Sequence, residues 1–381
     1  MKKLILSGVL ACLLIPAFAV SWGGILDNNT SVNAAGEDFS AVGLTQSNGV
    51  HLSLNVPFNT EGTVKVVAEG SFKYVYTWPD VKASDSQLQL VPDCDLLKFS
   101  GSWATGGGNL TVDLGRFTIS DFSGAVFAQK SDGLNISYNT ALIKFGAYAG
   151  YTGLQNRLNV SMNDMIEHEG DENYYILTAP YIPVLVDVSY RALFETNTIG
   201  LQGGYFMPLS EDFTKKFYTS FLMNGPIGLN CAYNLKGTFG LNDMKDPMVD
   251  AYADINFYIA GASIVTAGAE FVSFETDGLK QFVSVTSHSA ISDPEFAGGL
   301  VPKLSVIYAK NNLYASLTGK GSIVMTTEDT KFNGVDASAG FIYNLFSDLQ
   351  LGCDVRTFIG IHEDAKASNN CTATLKAIFA F

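Results

Sequence analysis

The side chains best suited to chemistry are few and scattered. Four histidines (His51, His168, His288 and His362) have no partner at catalytic or metal-binding spacing. His168 and His362 sit in acidic stretches and read as solvated loop residues. The chain has no Gly-x-Ser-x-Gly elbow, no Walker-type loop and no paired metal ligands. Its five cysteines show no CxxC spacing, which speaks against a metal cluster. Cys231, Cys353 and Cys371 share parity with apolar neighbours and read as small apolar side chains. The expectation is a protein without catalytic residues, metal or cofactor.

What the chain does offer is charge at every second residue. In extended chain, side chains alternate between two faces. Opposite the apolar face stand Lys65, Lys73, Lys98, Lys144, Arg191, Lys236, Lys303, Lys320, Arg356 and Lys376, together with Glu69, Asp113, Asp187, Asp250, Asp254 and Asp354. Charges lining a water-filled wall bias which ions pass. This set leans positive, whereas Asp164–Glu172, Glu211-Asp212, Asp243–Asp246, Glu328-Asp329 and Glu363-Asp364 concentrate acid in loops. Slight anion preference beneath an acidic rim is the expectation. The plainer reading is that these lysines pair with the acids across strands.

The elements that must carry these charges are strands. Thr63–Tyr76, Ile227–Gly240, Val249–Ala260 and Asp348–Ile361 all alternate apolar with polar residues, and helical periodicity is weak. Short connections such as Asn59–Gly62, Gly106–Gly108 and Gly225–Pro226 alternate with long ones: Trp78–Cys94, Ile119–Asp132, Thr152–Ile182, Leu241–Met248, Thr276–Gly299, Thr326–Val335 and His362–Ser368. Only 16% of the residues are charged, against about 25% in globular domains. The net charge of −14 argues against a nucleic-acid partner.

Met1–Ala19 has the charged, apolar and small-residue regions of a secretory signal. Val9-Leu10-Ala11-Cys12 is also a loose lipobox, against which stands the apolar Leu13–Val20 that would then start the mature chain. Val20–Gly36, rich in Asn, Gly and Ser, reads as a periplasmic or lumenal tail. Residues 37–381 read as one domain, with its first hairpin at Glu37–Phe58.

The last strand puts Cys371, Ala373, Leu375, Ala377, Phe379 and Phe381 on one face and ends on a free aromatic carboxyl terminus. It resembles the C-terminal signature strand of bacterial outer-membrane β-barrels, in which the final aromatic (here Phe381, with Phe379) is read by the barrel assembly machinery. The resemblance and the loop rhythm together predict an all-β fold: a transmembrane, antiparallel, up-and-down barrel of about 16–18 strands, with short periplasmic turns and long outer loops. Outer-membrane lipid is then an expected partner.

Leu110–Tyr138 is similar to the third-loop region of general diffusion porins. Gly115-Arg116-Phe117 ends a strand, and Asp132-Gly133-Leu134-Asn135-Ile136-Ser137-Tyr138 opens the next, without the usual Asn-Ser pair in place. The resemblance implies a loop folded into the lumen, with Arg116, Asp121, Lys130 and Asp132 as constriction charges, and a homotrimer. By parity alone Arg116 points outward with Leu114 unless Gly115 carries a bulge; a strand-end arginine at the interface is the plain alternative. The leading functional expectation is a porin-like channel for small hydrophilic solutes and ions. Two rivals are a transporter of hydrophobic compounds, similar to the fatty-acid transport barrels, and an adhesin or antigen working through Thr152–Ile182 and Thr276–Gly299.

Overall fold

The computed structural model describes residues 20–81, 86–160, 162–164, 175–259, 261–286 and 290–381. The expected leader at 1–19, most of the acidic run Asp164–Glu172, His168 and His288 lie outside them. The described chain is built from strands β1 (Ser21–Ala35), β2 (Ala41–Pro57), β3 (Val64–Trp78), β4 (Gln87–Thr105), β5 (Gly108–Ser120) and β6 (Ala128–Thr140). There follow β7 (Ile143–Tyr151), β8 (Tyr181–Leu193), β9 (Asn197–Pro208), β10 (Lys216–Gly228), β11 (Cys231–Asn242) and β12 (Asp246–Ile259). The last third holds β13 (Ser263–Val272), β14 (Gly299–Lys310), β15 (Leu313–Met325), β16 (Thr330–Asn344), β17 (Leu349–Gly360) and β18 (Asn370–Ala380). All 18 form one antiparallel sheet in chain order, and β1 pairs with both β2 and β18. The barrel is therefore closed, and no strand is left as an edge.

Its outside is apolar. Leu52, Leu97, Leu114, Val186, Leu201, Leu304, Leu317 and Leu375 are each more than half exposed. A belt of this kind on a closed barrel is the surface a transmembrane barrel shows to hydrocarbon. Cys94, Cys231, Cys353 and Cys371 are all free thiols and share the outward face with this apolar set.

The first strand corrects the sequence reading. Val20–Gly36 reads as a tail, yet Ser21–Ala35 is a full wall strand, and the expected first hairpin Glu37–Phe58 is the single strand β2. Asn and Gly are poor strand formers, but here each residue gains ladder partners on both sides. Asp27, Asn29, Ser31 and Asn33 take the inward face, while Leu26 and Val32 face out. Three expected loops are also shorter than the sequence suggests. Leu241–Met248 and Thr326–Val335 are mostly zipped into strand ends, leaving turns at 243–245 and 326–329, and β4 already begins at Gln87.

Closure is sealed at the periplasmic end. The amide of Gly24 donates to the Phe381 carbonyl at 2.9 Å, and Phe381 N–H returns a bond to Gly24 O at 2.9 Å. The Phe379 and Phe381 rings stack with centroids 6.3 Å apart. A Cβ at Gly24 would run into the Phe381 ring, so the ring lies across the glycine. Cross-strand contacts of this kind contribute up to about 1 kcal/mol each. Gly24→Val and Phe381→Ala are therefore expected to lower the folded fraction on refolding into vesicles. The gel shift between heated and unheated samples measures this, and a conservative change at exposed Leu375 serves as the control.

Candidate pore constriction

The third outer loop does fold into the barrel, and one glycine marks where. β5 stays hydrogen-bonded to β4 from Gly108 to Arg116 and then leaves it. The β5–β6 ladder continues beyond that point to Ser120 and Ala128. β6 leaves β7 at Asp132. Above this level the hairpin has left the wall on both sides and turned inward. Gly115 has φ +121°, and a Cβ there would collide with the Leu97 carbonyl oxygen. Only glycine suits that bend.

Inside, the hairpin tip (121–127) meets the opposite wall. Phe127 packs on Phe206 at 5.3 Å, and Phe117 meets Tyr148 edge-on at 5.9 Å. Gln202 accepts from Phe122 N–H, and Lys236 Nζ donates to Ser123 O at 3.1 Å. Two other loops join it. Val285 and Thr286 N–H both donate to Val126 O, and Asn163 N–H donates to Val285 O. Together the three loops form an apolar layer with Met162, Ala179, Tyr181, Tyr218, Met248, Ile291 and Val301. This layer leans on the inner faces of β7–β14. Its polar edges reach Lys73 on one side, through Asn159, and Ser322 and Asn333 on the other, through Asp293.

The four residues singled out by the sequence are brought together at this loop, and each is engaged in holding it. Asp121 accepts the backbone N–H groups of Ser123, Gly124, Val126 and Phe127 and also bonds the Ser123 hydroxyl. Lys130, on the hairpin face turned to the wall, pairs with Asp95 and lies 3.4 Å from Asp93. Arg116 and Asp132 form a two-pronged ion pair with both bonds at 2.9 Å. Arg116 is buried, on the outward parity, and needs no bulge to bond there.

The sixteen wall charges all take the inward parity. Lys98 pairs with Asp113 at 3.3 Å, and Lys376 pairs with Asp354. Lys303 stacks over the Tyr252 ring, and Lys320 donates to Ala290 O. Arg191 bonds Asn139, and Asp254 accepts from Asn256. Asp187 lies over Gly146 beside Lys144, and Asp250 is buried. Lys65, Glu69 and Arg356 face the interior from β3 and β17.

The positive lean is corrected, because inward acids were missed. Asp27 lies in the strand taken for a tail and accepts a hydrogen bond from His51 Nε2 at 2.8 Å. Asp93 falls within Trp78–Cys94, read as loop, and Asp95 just after it; a register shift there turns both carboxylates inward. Glu270 and Asp336 sit opposite Tyr252 and Lys320. The signal for these two was simple alternation. A further group, buried Lys216 with Asp164 and Tyr181, ties the loop after β7 to β10. At the outer rim, the Lys245 side chain holds Asp243 below the usual carboxylate range, and hydrogen bonding to Glu275 pushes Lys280 up. The rim acid is therefore partly compensated.

No protein-family model and no curated protein sequence matches the chain. Solved structures do. The fold is similar to OccK7 (OpdD) of Pseudomonas aeruginosa, with TM-score 0.64 and 12% identity over 96% of this chain and 99% of that one. OpdL of the same organism gives TM-score 0.62 and 12% identity over 95% and 99%. OpdK with vanillate gives TM-score 0.60 and 11% identity over 95% and 98%. The closed barrel and its apolar belt make this chain a bacterial outer-membrane, multi-pass β-barrel. Within that class its 18-stranded barrel has the shape of these outer-membrane structures.

Two variants test the constriction's supports. Gly115→Ala should strain or displace the hairpin, at about 1–3 kcal/mol, seen as a lower urea midpoint. Asp121→Ala leaves several buried N–H groups without their acceptor. It should expose 121–127 to protease added from the outer side while the barrel stays folded.

Proposed function

We propose that the chain is a passive channel for small hydrophilic solutes and ions. The observation that carries this reading is the split interior. The apolar loop layer covers β7–β14 and reaches Lys73 on β3 and Asn333 and Asp336 on β16 through polar contacts, while the inner faces of β16–β18 and β1–β3 carry Arg356, the Lys376–Asp354 pair, the Asp27–His51 pair, Lys65 and Glu69. An aqueous path along that charged half is favoured, since wide barrels leave room for water. Both signs are represented, so the reading includes weak ion selectivity rather than anion preference. OpdK has been seen with vanillate, which makes vanillate a rational first probe of solute block.

The rivals are less well supported. A hydrophobic-compound transporter of the fatty-acid type needs an N-terminal plug, and Ser21–Ala35 is a wall strand instead. An adhesin needs projecting loops, yet Val160, Met162, Ala179, Phe282, Val285 and Ile291 of these loops are buried in the interior layer. Enzyme activity has no supporting constellation. Among the described residues no group of His, Cys, Asp and Glu could hold a metal.

One exterior feature supports a homo-oligomer, the trimer of the general porins. Asn28 and Asn48 face outward and bond each other at 2.6 Å midway along β1 and β2. Amides are costly against lipid, and a second copy seated there would shield them. Unheated electrophoresis should then show a species larger than the monomer, lost in Asn28→Leu/Asn48→Leu if the contact depends on the amides.

The direct test is single-channel recording of the refolded mature chain in a planar bilayer under a potassium chloride gradient. Stable steps with a small reversal potential are expected. Arg356→Glu should shift the cation-to-anion permeability ratio upward by about twofold with folding unaffected. Silence from folded protein would contradict the channel reading.

A further inference from the structure

Where β5 and β6 leave the wall, the ladder between β4 and β5 stops, and the outer half of β4 loses that neighbour. Its carbonyl groups at this point find side chains instead. Arg116 Nη1 donates to Cys94 O at 3.2 Å, and Asn156 Nδ2 donates to Pro92 O at 3.4 Å. Arg116 Nη2 also donates to Leu154 O at 3.1 Å, in the first turn of the loop that follows β7. Tyr175 donates to the same oxygen at 2.9 Å. Asp132 takes the Arg116 fork on one side and Gln155 Nε2 at 2.8 Å on the other. One guanidinium thus bridges three separate stretches: the edge of β4, the base of the inward hairpin and the covering loop.

The bridge lies outside the solute path. Arg116 pairs in register with Leu97 and Asp132, and it follows Leu114 in parity; Leu97 and Leu114 are exposed on the belt. A shallow cavity of about 440 Å³, lined by Cys94, Leu97, Leu154, Tyr175 and Leu177, opens directly outside it. Both partners sit next to Gly115, the point about which the hairpin turns in. We infer that the Arg116–Asp132 pair is a latch, placed on the outer side of the wall, that sets how far the β5–β6 hairpin projects into the lumen and so sets the width of the channel. Arg116 and Asp132 are positioning residues, and neither meets the solute. Lys130, bonded to Asp95 and near Asp93 on the inner side of the same wall, seats the hairpin from within. The latch spans the gap where the ladder is missing together with Asn156 and Lys130, and it is the part that ties hairpin, β4 and covering loop through one side chain.

This inference rests on the channel reading, and the experiment separates the two. Arg116→Ala, Asp132→Ala, the milder Arg116→Lys and the exchanged pair Arg116→Asp/Asp132→Arg are refolded and checked for the heat-dependent gel shift. The single variants are expected to conduct roughly twofold more than wild type, with more flicker and with an unchanged reversal potential. The exchanged pair should return toward wild type. Hydrogen exchange over 117–131 should speed up in the single variants and slow again in the exchanged pair, whether or not current flows. Folded single variants with wild-type conductance and wild-type exchange would overturn the latch. A shifted reversal potential at constant conductance would also overturn it, by placing the pair in the pore. Silence from wild type with normal exchange effects would remove the channel reading and leave the latch as a positioning device.

Discussion

A backbone N–H or C=O within a bilayer has only protein to bond to. Most of this structure follows from that constraint. It forces all strands into one closed sheet, which is why a stretch as poor in strand formers as Ser21–Ala35 is drawn into the wall between β2 and β18. It also fixes the end of the chain: the Phe381 and Gly24 backbones exchange bonds at the last possible rung. Beside Arg116, where the β4–β5 ladder stops, side chains substitute for it.

That break has a purpose in the architecture. A barrel of this width has more interior than its wall side chains fill. Turning one hairpin inward and knitting two further loops onto it through Val126 and Val285 fills half of the interior with apolar contacts. The loop sequence Phe122, Val126, Phe127 looks wrong for a water-filled eyelet, and it is apolar because it packs on Phe206, Tyr218 and their neighbours. The charged half of the wall is the half that the proposed aqueous path follows. Charges near the loop are consumed by structure: Asp121 organises the tip, Lys130 seats it, and Arg116 with Asp132 spans the gap. A buried pair of this kind is strongly destabilising to break from one side only, which suits a part that must not drift.

Much of the fold was legible because lipid-facing strands enforce strict alternation. The exterior leucines, the outward cysteines, the inward lysines and the final aromatic all follow from a period of two. What failed were the places where tertiary partners outweigh local preference. Asn, Gly and Ser hid β1, and Pro92 with two aspartates hid the outer half of β4, whose carboxylates are matched by Lys130 and Asn159. Two loops were read too long because their polar ends zip into ladders. The four residues named from the sequence at the third loop, Arg116, Asp121, Lys130 and Asp132, lie together at the inward hairpin, where their bonds hold it. Parity placed Arg116 outward, and the bend at Gly115 explains how an outward residue can still belong to a loop inside the barrel. Distances across the barrel, such as Lys236 to Ser123, leave no mark in sequence spacing.

The central claim is that water follows the charged half of the interior and not the loop-packed half. Cysteine replacements read this directly, with the four native wall cysteines changed to serine. A water-soluble, charged thiol reagent should cut the current through the Arg356→Cys variant at β17 and leave Thr238→Cys, buried under the loop layer at β11, unaffected. Modification of Thr238→Cys with Arg356→Cys unreactive would contradict the account.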